Sequence, residues 1–182
     1  MKSGQVVETL CASDGRKVVL RTPRWEDLDD LLELINSLVE EKPEIVVDTR
    51  FSRDEEADWL AGVLARLEKD EIFLLVAEVG GKVIASSDLH RGRGSEAHVG
   101  VVGIVVKKGF RDLGIGTEIM KVHIGQAERM GLRLLVLSVF ATNNRAIHVY
   151  EKVGFVRTGR VPGKHLREGK YIDEVTLARV LV

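Results

Sequence analysis

Hydrophobic positions along the chain follow two periodicities that trade places. From Trp25, apolar residues recur at three- and four-residue intervals: Leu28, Leu31, Leu32, Ile35, Leu38 and Val39. That spacing sets them on one face of a helix, predicted to end near Lys42 and Pro43. Thr22 before Pro23 suits an N-cap with proline at the first helical position. Ser52 and Glu55 form a capping box. It opens a second helix with a buried stripe of Trp59, Leu60, Val63, Leu64 and Leu67. Strand patterns lie elsewhere. Residues 17–22 read as a short strand, and 71–79 and 82–90 flank a Gly80-Gly81 turn as a hairpin. After a loop at 91–95, residues 96–106 are another strand. A glycine-bearing stretch then leads into a helix through about Met130, stopped by Gly131. Residues 132–140 are nearly all apolar, as in a strand buried on both faces. A helix from about Asn143 to Val153 stops at Gly154, and 155–161 and 171–182 are closing strands. The order is β-α-α-β-β-β-α-β-α-β-β. The strand–helix–strand unit from 96 to 140 implies a parallel pair inside a mixed sheet. The expectation is one α/β (α+β) domain over 1–182, with a sheet of about six to seven strands flanked by about four helices.

Composition narrows what such a domain does. The 182 residues are 45% hydrophobic and 30% charged, enough to bury a core and stay soluble. With 27 basic and 28 acidic residues and a net charge of −1, the chain lacks the electrostatic footprint of a nucleic-acid or anionic-membrane binder. Aromatics at 5% also speak against stacking platforms for single strands. No apolar run approaches the ~20 residues of a membrane span. The opening "MKSGQVVETL" lacks the apolar core of a signal peptide. Cys11 is the only cysteine, so neither an internal disulfide nor a cysteine metal cluster is expected. A cytoplasmic protein without a metal is the default. Scarce Asn and Gln beside plentiful Glu, Lys and Arg hint at a thermophilic source.

Candidate chemistry begins at "GFRDLGIGTEIMK", residues 109–121. Glycines at a strand-to-helix junction make a turn cheaply, and they also bare backbone N–H groups at a helix start, an anion site. A P-loop would end in GK[ST], but Gly116 precedes Thr117 and Glu118. A dinucleotide fingerprint would place a small residue where Ile119 stands, and an acid after the next strand, where none is found. Arg-x-x-Gly-x-Gly fits through Arg111, Gly114 and Gly116. In that arrangement the amides of about residues 112–117 face a pyrophosphate, aided by the positive end of the helix. Taken alone, the stretch reads better as a plain turn.

After the next strand comes "NNRAIHVYEKVGF", residues 143–155. The two motifs, with the strand between them, resemble the GNAT family of N-acetyltransferases. The preceding helices and hairpin fit that family's layout, so the resemblance spans most of the chain. It implies acetyl-CoA as cosubstrate and an amine acceptor, either a small molecule or a peptide. It implies a splayed parallel pair, 96–106 and 132–140, with the thioester in the gap. The loop Arg111, Asp112, Leu113, Gly114, Ile115, Gly116 and Thr117 would hold the pyrophosphate. Ile104, Val105 and Val106 would pair with the pantetheine amides as an added strand does. Tyr150 would protonate the leaving thiolate; its other reading is a core tyrosine with one satisfied hydroxyl. Asn143 would contact the pantetheine or steady the amine, and is an N-cap in either case. Arg145 and Lys152 would neutralise phosphates, or are solvated helix charges. The resemblance also leaves room for a homodimer.

In one respect the chain departs from the family pattern. Many relatives carry a glutamate on the strand before the loop, where this chain has Val101 and Val102. That leaves the base for the incoming amine unassigned. Glu96 and His98, upstream on that strand, are the candidates; each also reads as a structural or surface residue. The cluster "GKHLREGKYIDE" (163–174) is either a solvated hairpin or a wall of the acceptor pocket, with Asp173 and Glu174 drawing a cationic amine. Residues 40–56 are the candidate opposite wall. The reading from another class is a non-catalytic acyl-CoA-binding sensor of the same fold.

Overall fold

A computed structural model of the chain describes residues 1–41 and 49–181. Eight strands form one sheet: β1 (Val6–Cys11), β2 (Lys17–Arg21), β3 (Ile72–Val79), β4 (Lys82–Arg91), β5 (Val99–Val106), β6 (Leu134–Phe140), β7 (Val156–Arg167) and β8 (Lys170–Val180). Their spatial order is β1-β2-β3-β4-β5-β6-β8-β7. Every neighbouring pair is antiparallel except β5 and β6. Helices α1 (Leu28–Glu40) and α2 (Arg53–Glu68) cover one face, packing Leu31, Leu34, Leu60 and Val63 against Leu74, Val76 and Val83. Helices α3 (Ile115–Arg129) and α4 (Asn144–Lys152) cover the other, packing Ile119, Met120 and Ile147 against Leu75, Leu89, Val102 and Leu135.

Several boundaries differ from the expectation. The strand count is eight, above the six to seven read from sequence, because β1 was not seen. Val6–Cys11 lies at the sheet edge and is mostly exposed, so no alternation marks it. Thr22 does not cap α1. Its hydroxyl accepts from Gln5 N–H and donates to Lys2 O, tying down the N-terminus. A 3₁₀ turn at Trp25–Asp27 leads into α1 instead. Trp25 and Trp59, placed on buried stripes, are 48% and 43% exposed. The Ser52–Glu55 capping box forms as expected. The closing hairpin runs far longer than the pattern suggested. Its turn is only Glu168-Gly169, both at positive φ, which is the twist a two-residue hairpin turn needs. The predicted end of the first helix, and the middle of the 40–56 wall, fall on 42–48, outside the described residues.

Two polar networks lie inside this framework. Arg21, at the end of β2, makes a bidentate pair with Asp27 at 2.7 Å on both arms and reaches Glu78 on β3 at 2.9 Å. It fastens the sheet to the start of α1. On the other face, His123 of α3 is fully buried. The Ser87 hydroxyl donates to Gly103 O at 2.6 Å, so His123 Nε2 carries a hydrogen and donates to Ser87 Oγ, also at 2.6 Å. Nδ1 is left as an unpartnered acceptor among the described residues.

Burial pushes the His123 pKa down to about 4 from 6.5. Below pH 6.5 the unfolded chain therefore binds a proton that the folded chain refuses. The stabilisation is complete above 6.5 and is lost as pH falls toward 4, by about 3 kcal/mol in all. Urea midpoints of the native protein and of His123→Gln, compared from pH 7.5 to 4, should diverge in that window. Parallel pH profiles would rule the histidine out as the cause.

Candidate active site

The functional geometry starts where the parallel pair stops. β5 and β6 pair at Val99↔Leu134, Gly100↔Leu135 and Val101↔Val136, and no further, although β5 runs on to Val106 and β6 to Phe140. Gly100 closes the paired end. A Cβ there would lie 2.7 Å from Leu135 and Leu89 and 2.8 Å from Leu132, so only glycine lets those leucines meet over the strand. Beyond Val101 the strands part into a cleft of about 1080 Å³.

The cleft gathers most of the residues singled out from sequence. Ile104, Val105 and Val106 line it from β5, Arg111, Asp112, Gly114, Gly116 and Thr117 from the loop and first turn of α3, and Asn143, Arg145, Tyr150 and Lys152 from α4 and its cap. Leu113 and Ile115 do not line it. Leu113 packs against the core and Ile115 is fully buried, so their side chains anchor the loop. Glu96 and His98 are not brought to the cleft. Glu96 sits in a 3₁₀ turn and His98 just before β5, both exposed. Four residues of extended chain, ~13 Å, separate His98 even from Val102, where the cleft begins. Neither Glu96 nor His98 lines it.

The loop turns into α3 through two left-handed residues, Asp112 at φ 62° and Gly114 at φ 81°. The first α-helical bond runs from Glu118 N–H to Gly114 O at 3.1 Å. The amides of Ile115, Gly116 and Thr117 thus have no partner within the helix, at its positive end. A Cβ on Gly116 would meet Ile104 at 3.8 Å and Val149 at 3.9 Å, ordinary contacts. Packing does not demand glycine there; its effect is bare backbone on the cleft wall. Arg111 donates to Val106 O at 2.8 Å and pairs with Glu41 at 2.9 Å, joining β5 to the end of α1. Arg145 pairs with Asp112 at 3.1 Å across the loop.

Tyr150 is 7% exposed, and its hydroxyl takes no hydrogen bond among the described residues. Burial pushes its pKa up to about 12, so the phenol stays protonated. Asn143 caps α4, its Oδ1 accepting from Ala146 N–H at 3.1 Å. On the opposite wall stands Glu174, 6% exposed. Burial raises its pKa, but hydrogen bonds from Lys164, His165 and Ser138 outweigh that and hold it below the usual carboxylate range. His165 Nε2 lies 2.8 Å from the carboxylate and its ring packs 4.4 Å from Phe140. Sequence reasoning gave Glu174 a part in drawing a cation but missed this shell. Alternation gave no signal for it, because Val175 and Leu177 on the other face of β8 are the core residues.

A family model described as Acetyltransferase (GNAT) family matches residues 31–155. The chain belongs to that family. The matched span runs from within α1 through α4, and includes the glycine loop, the parted strands and Tyr150. Among relatives of this GNAT domain is the L-amino acid N-acetyltransferase AaaT of Escherichia coli, 32% identical over 108 residues, 58% of this chain and 67% of that protein. The L-methionine sulfoximine/L-methionine sulfone acetyltransferase of Pseudomonas paraeruginosa is 23% identical over 149 residues, 81% of this chain and 85% of its own. In structure, the GNAT domain resembles a phosphinothricin acetyltransferase from Sinorhizobium meliloti solved in complex with acetyl-CoA. The TM-score is 0.79 at 19% identity, covering 90% of this chain and 88% of that one.

Proposed function

We propose that the chain moves an acetyl group from acetyl-CoA to a primary amine by direct attack. The observation that carries this reading is one cleft in which the free amides at the start of α3, the unpaired ends of β5 and β6, and the protonated Tyr150 converge. Pyrophosphate oxygens would accept from Ile115, Gly116 and Thr117 N–H, and Arg145 and Lys152 would add positive charge. The pantetheine would lie along Ile104–Val106 as a short extra strand, bringing the thioester into the gap. An amide N–H near Val106 would stabilise the oxyanion, and Tyr150 would give its proton to the departing sulfur. The chemistry calls for no metal. Relatives named for L-amino acids and methionine derivatives make a small amine the first class to try.

Acetyl-CoA should raise the melting temperature equally with and without a chelator, and Gly116→Val should shrink that rise while the apo protein melts unchanged. No stabilisation at millimolar acetyl-CoA would sink the reading. Release of free CoA thiol in the presence of amino acids, polyamines or short peptides then separates an enzyme from a non-catalytic acyl-CoA sensor. The sensor reading rests on Val101 and Val102, which leave the strand before the loop without an acid.

A further inference from the structure

A second, smaller cavity of about 320 Å³ lies between α2 and β4, with Asp58, Trp59, Arg66, Asp88 and His90 on its wall. Asp88 stands directly across the ladder from Gly103, and Gly103 lines the larger cleft. A Cβ on Gly103 would lie 2.8 Å from Asp88 Oδ1, so the missing side chain is what gives the carboxylate its place. Asp88 Oδ2 is 2.6 Å from His90 Nε2, and His90 Nδ1 faces Arg66 Nη2 at 3.3 Å. A guanidinium only donates. His90 Nδ1 therefore accepts, and Nε2 carries the hydrogen that binds Asp88. The carboxylate is held by one oxygen and turns the other toward Gly103, where it takes no hydrogen bond among the described residues. Val101 pairs with His90 on the neighbouring strand, its side chain half exposed.

We propose that Asp88 is the proton acceptor of the transfer and that the cavity beside it seats the acceptor's ammonium group. The proposal rests on the acetyltransferase reading and supplies the base that β5 lacks. Glu174 is the competing acid, but Lys164, His165 and Ser138 already occupy its oxygens and hold it ionised. The charged groups sharing the cavity with Asp88 are Asp58 and Arg66 from α2 and His90 from β4; Val101 and Gly103 of β5 add none. The ammonium gives one proton to Asp88 and becomes a neutral amine. Its nitrogen forms the C–N bond at the thioester carbonyl, and the C–S bond breaks. The second proton leaves nitrogen for solvent, Tyr150 gives its proton to the sulfur and is reprotonated from solvent, and Asp88 returns its proton to solvent, one proton released per turnover. His90 acts as a positioning residue through its hydrogen bond to the carboxylate.

The test is thiol release from acetyl-CoA with the amine panel above, for the unaltered protein, Asp88→Asn, and the double variant Asp88→Asn/Val101→Glu. At pH 7, Asp88→Asn should turn over at least tenfold more slowly, at the low end of the ~10²–10⁴-fold range of a general base or below it if water relays the proton. Its melting temperature and its acetyl-CoA shift should be unchanged. The deficit should shrink as pH rises and the free amine becomes abundant, and the double variant should recover threefold or more. Equal turnover by Asp88→Asn and the unaltered protein, with transfer intact in both, overturns the assignment and leaves the acetyltransferase reading standing. A deficit that stays constant with pH also overturns it. No thiol release by the unaltered protein with any amine overturns both.

Discussion

Tyr150→Phe is expected to lower turnover at least tenfold, into or near the ~10²–10⁴-fold range typical of a general acid, with acetyl-CoA affinity nearly unchanged. The ring would stay where it is, packed 6.2 Å from Phe155, and only the hydroxyl would go. That hydroxyl has no protein partner to lose among the described residues, so stability should move by less than the ~1 kcal/mol of an ordinary hydrogen bond. Burial raises its pKa to about 12, which in the proposed reaction would keep the proton in place until the C–S bond breaks and charge gathers on sulfur. A thioester with a more acidic thiol needs less protonation, so the variant should lose less with it. Unchanged turnover, in an assay limited by chemistry, would return Tyr150 to a packing role. A fall in melting temperature that matched the loss of activity would do the same.

The largest stability effect is expected at Arg21. Replacing it by methionine keeps most of the volume but leaves Asp27, with a side chain 4% exposed, facing Glu78 without a countercharge between them. Breaking a buried pair from one side costs ~3–5 kcal/mol. Arg24 remains 3.5 Å from Asp27 and 3.7 Å from Glu78, which places the loss near the lower figure. For a chain of this length that is a drop of roughly 10 °C. Converting the acids as well, in Arg21→Met/Asp27→Asn/Glu78→Gln, should recover most of it. A urea midpoint for Arg21→Met within error of the native protein would show the network to be dispensable.

Helical periodicity and the strand–helix–strand order made α3, α4 and the parallel pair legible, and with them the cleft. What stayed hidden depends on partners far away in sequence. β1 carries no burial pattern because it is an exposed edge. Trp25 and Trp59 have helical spacing, but spacing does not say how wide the buried face is. Glu96 and His98 share a strand region with Val106, yet strand rise sets both short of the cleft. The pairing of Asp88 with Gly103 is a register between β4 and β5, and it depends on the length of the connection between them and on where β5 begins. One clue was available: a glycine inside the apolar run "GVVGIVV" marks close approach by another group.

The strand missed from sequence bears on the glycine loop. Between β1 and β2, Ser13 N–H donates to Leu113 O at 3.1 Å, and Arg16 donates to Gly109 O at 3.1 Å while its guanidinium lies 4.3 Å above the Phe110 ring. With Ile115 buried at its other end, the glycine loop is clamped on both sides before any ligand arrives. Ordering a free backbone costs ~1–2 kcal/mol per residue, and a loop already ordered spares the ligand that cost. On the proposed reading, affinity for the donor would be set partly by a hairpin remote from the phosphates, and loosening that hairpin would weaken binding through entropy alone.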